Sequence, residues 1–134
     1  MTESRSVNDP SISDEADLWR RISPEWIILD ENLGRQRVTS KAFQNLEGDN
    51  LSVLLEQIVR ETGRTADDVL KNLSGYSLAA VTAGQARALG QGVVRAPEPD
   101  EPAHCHMVGK KGKGARKKLA SAARWVIPPH ASQS

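Results

Sequence analysis

NLSVLLEQIVRETG, running from Asn50 to Gly63, is the stretch on which the reading of the fold turns. Leu51, Leu54, Leu55, Ile58 and Val59 recur at the i, i+3, i+4, i+7 and i+8 positions of one helix face, while Glu56, Gln57 and Arg60 fall elsewhere. The spacing predicts a helix over Leu51–Thr62, with Gly63 as its stop. Directly after it, Thr65 followed by Asp68 has the form of a capping box and opens a second helix over Thr65–Leu73, whose Val69, Leu70 and Leu73 turn inward. The expected unit is a tight pair of short helices.

Toward the N-terminus, Trp26–Leu29 is a short apolar run between Pro24 and Asp30-Glu31-Asn32, and it reads as a buried strand. Ahead of it Ser13 serves as an N-cap, with Asp14, Glu15 and Asp17 in a first turn and Arg20 and Arg21 in a last one, which predicts a helix carrying Leu18, Trp19 and Ile22. Met1–Ser13 reads as a disordered leader. Asn32–Gly48 is irregular apart from one helical turn over Ser40–Leu46 that brings Phe43 inward.

Toward the C-terminus, Tyr76–Val81 serves equally as a strand or as the lead-in to a helix over Thr82–Leu89. Gly92–Arg95 and Ala103–Val108 read as strands, the latter with Cys105 and Met107 on one side and His104 and His106 on the other. Between them Pro97–Pro102 is an acidic surface loop. Gly114–Arg124 is an amphipathic helix, Trp125–Ile127 a last strand, and His130–Ser134 a disordered tail. The expected architecture is a single α+β domain over residues 14–129, with a small sheet of about four short strands packed with three to five short helices. Strand order does not follow from the sequence.

Composition narrows the function classes. The chain has 134 residues, of which only five are aromatic, so a surface of stacking rings is excluded and the three tryptophans belong to the core. One cysteine, Cys105, rules out an internal disulfide framework, and at an alternating strand position it is expected to be buried and inert. No run approaches the roughly 18 apolar residues of a membrane span, and no secretory signal is visible. The expectation is a cytoplasmic protein with no membrane partner and no cofactor.

The charge is polarised. Through residue 101 there are eleven basic and seventeen acidic residues, and beyond it seven basic and no acidic ones, so a net charge of +1 conceals halves of roughly −6 and +7. Six of the seven cations lie in Lys110–Lys118. Gly109-Lys110-Lys111-Gly112-Lys113-Gly114 falls between an expected strand and an expected helix, where glycines allow close backbone approach and the helix start adds a positive dipole end. The glycine spacing matches a P-loop, but Ala115-Arg116 stands where that motif needs Lys and Ser or Thr, so nucleotide hydrolysis is disfavoured. Gly109 to Gly112 also matches the clamp of KH domains, which requires helices on both sides. The bland alternative is a solvated loop whose lysines only offset the acidic half.

These features lead to a non-enzymatic binding module for nucleic acid or another polyanion, with Lys110, Lys111, Gly112, Lys113, Gly114, Arg116, Lys117, Lys118 and Arg124 as phosphate contacts. A protein–protein adaptor or regulatory subunit is the alternative. A second alternative is a small phosphoester-handling enzyme using His104 or His106 beside the lysine loop. Two histidines do not make a metal site, and none is expected.

Overall fold

In the computed structural model, which describes residues 8–44 and 50–129, Asp17–Ile22 is a strand, β1, and not the expected helix. Leu18 and Ile22 enter one core and Trp19 another, so successive side chains alternate across a sheet. Arg20 and Arg21, which imitate the basic last turn of a helix, satisfy carbonyls instead. Arg20 Nε donates to Ala42 O at 3.0 Å, and Arg21 Nε to Val69 O at 2.9 Å.

The same correction applies to Asn50–Gly63. Asn50–Leu55 forms a strand, β4, and only Glu56–Glu61 is helical, α1. Leu51, Val53 and Leu55 fill one core while Leu54 fills the other. A strand buried on both faces loses its alternation, and Ile58 and Val59 of α1 continue the run in helical phase. Periodicity could not separate the two.

The remaining elements are β2 (Ile27–Asp30), β3 (Arg35–Val38), α2 (Ala66–Val69), β5 (Ser77–Thr82), α3 (Ala83–Ala88), β6 (Gly92–Arg95), β7 (His104–Val108), α4 (Lys113–Ala122) and β8 (Arg124–Ile127). Six strands make one antiparallel sheet in the order β6-β7-β4-β1-β5-β8, and β2 and β3 pair separately as a hairpin. The expected sheet of about four strands is therefore wrong in its balance. Two segments taken for helices supply its central strands, and among the described residues only α4 exceeds six residues in helical length. The turn at Ser40–Phe43 is 3-10 helical and buries Phe43; Leu46, at the end of the expected turn, lies outside the described residues.

Both faces of the sheet are covered. On one, Leu18, Val53, Val81, Cys105 and Met107 pack with Phe43, with Ala86 of α3 and with Leu119 of α4. On the other, Trp19, Leu54, Leu78 and Ala80 meet Val59 of α1 and Val69 of α2. Asn8–Ser13, read above as part of the leader, lies along this body. Asn8 Oδ1 accepts from Val93 N at 3.0 Å, Asp9 N donates to Val93 O at 2.8 Å, and Ile12 is buried. Met1–Val7 and the tail His130–Ser134 lie outside the described residues.

Local signals were sound where the chemistry is short-range. Thr65 and Asp68 form the capping box expected of them, although α2 stops at Val69 instead of reaching Leu73. A second box opens α3, where Thr82 Oγ1 accepts from Gln85 N at 3.0 Å and Gln85 Oε1 from Thr82 N at 2.9 Å. Thr82→Ala is expected to cost about 1 kcal/mol, read as a shift in the urea midpoint. A shift under about 0.3 kcal/mol would mean that water replaces the box.

Candidate functional site

The Gly/Lys loop does not present all its cations alike. Gly109, with φ of 137°, takes the chain out of β7 in a conformation that side chains disfavour. Lys111 then turns inward. It is only 8% exposed, and Nζ donates to Met107 O at 2.8 Å and Gly109 O at 2.9 Å. It therefore closes the end of β7 and does not belong with the phosphate-facing residues, a correction to the expected set.

Lys110, Lys113, Lys117 and Lys118 are exposed, and none enters an ion pair among the described residues. With Leu119 as the buried contact of α4, the 100° step per residue puts Lys113, Lys117 and Lys118 on its outer side. Arg116 sits at the boundary, half-buried, with Nε lacking a hydrogen-bond partner. A Cβ added at Gly112 or Gly114 meets nothing within 4 Å, so the start of α4 is open to a ligand. Arg124, at the start of β8, is compensated, since Nη2 lies 2.6 Å from Asp17 Oδ1. The KH resemblance fails because a strand, β7, precedes the loop.

Beside α4 lies a feature that sequence reading missed. An open groove of about 960 Å³ runs between α4 and the β2–β3 hairpin, with Arg35 and Arg37 on the hairpin wall and Lys117, Ser121 and Arg124 on the other. Trp125 lines it and fixes the hairpin by donating from Nε1 to Gln36 O at 3.2 Å. Asp30 is the single acid of the lining and is already taken by Arg37 Nε at 2.8 Å. Accepting from Arg37 and from the Leu33 and Asn32 amides holds the Asp30 carboxyl below its ordinary range, the Leu33 amide contributing most. Arg35 and Lys117 remain as the groove's unpaired cations among the described residues. Arg35 gave no signal because its partner wall is more than eighty residues away in sequence.

His104 and His106 project from the face of the sheet opposite α4, since Cys105 and Met107 between and beyond them pack with Leu119. The two imidazoles therefore lie on the other face of the sheet from the outer side of α4. Their rings meet edge to face at 4.9 Å. Burial, and then the proximity of His104, push the His106 imidazole below its ordinary value. His104 Nδ1 lies 2.9 Å from Ala96 O, and Nε2 lies 3.1 Å from Ser52 Oγ.

Cys105 is 1% exposed, and burial pushes its thiol up to about 11. It is expected to ignore a thiol reagent in native protein at pH 7 and to react fully in denaturant; reaction at comparable rates in both would refute that burial. Among the described residues no three His, Cys, Asp or Glu side chains gather as a metal-binding group, and no helix is long and apolar enough to cross a membrane. Searches of protein-family models, curated proteins and solved structures yield no match to this chain.

Proposed function

We propose that the protein binds the phosphate backbone of a nucleic acid through the outer side of α4, the loop before it and the hairpin wall carrying Arg35. One observation supports this above the others, namely where the acids go. Asp9, Asp14, Asp17, Asp30, Glu56 and Glu101 pair with Arg95, Arg87, Arg124, Arg37, Arg60 and Arg64. Those six carboxylates meet arginines, whereas Lys110, Lys113, Lys117 and Lys118 face solvent and enter no ion pair among the described residues. Lysines without a bidentate fork or an ordered partner contact phosphates as point charges, which favours binding without sequence discrimination.

Binding of a labelled 20-nucleotide duplex, followed by anisotropy across a salt series, tests the reading. Each lysine that neutralises a phosphate contributes about −0.9 to the slope of log K against log salt, so Lys113→Gln, Lys117→Gln and Lys118→Gln together are expected to flatten it by about 2–3. Lys111→Gln, at an internal position, is expected to lower stability and leave the slope alone. No binding at low salt, or an unchanged slope in the triple variant, overturns the proposal.

A protein partner is the second reading, and it has its own support in Ile28, Leu29 and Leu33 at the hairpin, which are 42%, 61% and 56% exposed. A stoichiometric partner that survives nuclease treatment and is lost on Leu29→Asp would favour it. α1 and α2 are packed on the sheet through Val59 and Val69.

A further inference from the structure

The sheet opens at its centre. β1 pairs with β5 over six residues and β4 pairs with β7 over five, yet β1 and β4 share only Leu18↔Leu55 and Trp19↔Leu54. Past that point the two strands part, and the Arg20 side chain enters the gap. Its Nη1 donates to Ser52 O at 2.8 Å, and the guanidinium lies 5.4 Å from the centre of the Trp26 ring. Burial brings Arg20 down to about 10, which still leaves it charged at neutral pH. A cleft of about 70 Å³ remains, lined by Trp19, Arg20, Arg21, Ser52, Leu54 and His104.

Hydrogen-bond logic fixes the protonation pattern within it. Ala96 O can only accept, so the contact at 2.9 Å requires His104 Nδ1 to carry a proton. In the neutral ring Nε2 is then a bare acceptor, and the contact at 3.1 Å requires Ser52 to donate its hydroxyl proton to it. The base is thus oriented by a third group, the arrangement that activates a serine. Glu98 Oε2 lies 3.9 Å from Nδ1 and favours the imidazolium once it forms.

We propose that Ser52 is a nucleophile with His104 as its general base, and that this cleft accepts the acyl group of a small carboxylic ester. Ser52 Oγ bonds to the carbonyl carbon as its proton passes to His104 Nε2. The carbon–oxygen bond to the alcohol then breaks, the alcohol leaves with that proton, and the acyl group stays on Ser52. Water attacks by the same route, releasing the carboxylic acid and restoring the serine. Arg21, on the Trp19 side of β1, supplies positive charge that favours the oxyanion, while Trp19 and Leu54 give an apolar wall suited to a short acyl chain. The site lies across the sheet from α4, so this inference stands or falls independently of nucleic-acid binding.

Two measurements on the full chain test it. With 4-nitrophenyl acetate, intact mass is expected to show one added acetyl group on the wild type, none on Ser52→Ala, and acetylation slowed about 10²–10⁴-fold in His104→Gln. Ser52→Cys gives a second test, because Cys105 is sealed in the core. Its alkylation by iodoacetamide at pH 6 is expected to be at least about 10-fold faster with His104 present than in the Ser52→Cys, His104→Gln double variant, a base-dependent thiolate that a merely structural contact would not create. No acetyl group on the wild type, the same adduct on Ser52→Ala, or equal alkylation rates in the two cysteine variants overturns the proposal.

Discussion

Replacing Trp19 by alanine is expected to destabilise the protein by about 3–5 kcal/mol, a large share of the roughly 5–15 kcal/mol that holds a domain of this size folded. The ring is 1% exposed and sits on the face of β1 that meets α1 and α2, in contact with a cluster containing Leu54, Val59, Val69 and Leu78. Those helices are four and six residues long and cannot collapse far into a vacated site, because each is tied to the sheet through one or two buried residues. The Arg60 guanidinium, 5.5 Å from the ring centre, loses its cation–π partner as well. Urea titration followed by far-UV circular dichroism measures the loss, and Trp19→Phe, which keeps a ring, is expected to cost well under half as much. A loss below about 1 kcal/mol for the alanine variant would mean that the second layer is not packed on β1.

The other large effect belongs to Glu101. Its carboxylate takes both guanidinium nitrogens of Arg64, at 2.9 and 2.7 Å, and lies 3.9 Å from Arg21, with a side chain only 13% exposed. It ties the loop before β7 to the segment joining α1 and α2 and to β1. Hydrogen bonding from Arg64 above all, then from the Ala103 amide, holds its pKa below the ordinary carboxylate range. A depressed native pKa means that the unfolded chain takes up the proton first, so the contribution is complete above about pH 5 and is lost as pH falls through the native value. Glu101→Gln is expected to cost about 1–3 kcal/mol at pH 7, with the wild-type and variant urea midpoints converging as pH falls through the native pKa. A gap that stays constant over that fall would show that packing, and not the charge, is what Glu101 supplies.

Glu101 also shows where a sequence reading stops. Within the acidic surface loop Pro97–Pro102, nothing local distinguishes it from Glu98 or Asp100. What sets it apart is Arg64, thirty-seven residues away, and that partner becomes visible only when β7 lies against β4. Ser52 is a parallel case. On β4 it stands opposite His106 and within reach of His104, a juxtaposition that its sequence neighbours do not show. Arg20 could have been noticed once its segment was read as a strand, because a cation then occupies the same side as Leu18 and Ile22, which are core residues.

The amino-acid sequence alone determined what depends on neighbours within about four positions or on bulk charge. That includes the Thr65–Asp68 capping box, the strand with His104 and His106 on one side and Cys105 on the other, the amphipathic α4, and the concentration of cations after residue 109. Tertiary structure decided the rest. Leu51–Leu55 and Leu18–Ile22 became strands because a sheet covered on both faces buries apolar side chains in either phase, and pairing partners roughly thirty-five to sixty-five residues away settled which phase was used. Long-range pairing likewise brought Asp9, Asp14, Asp17 and Glu101 to their arginines, a choice that no short window along the chain contains.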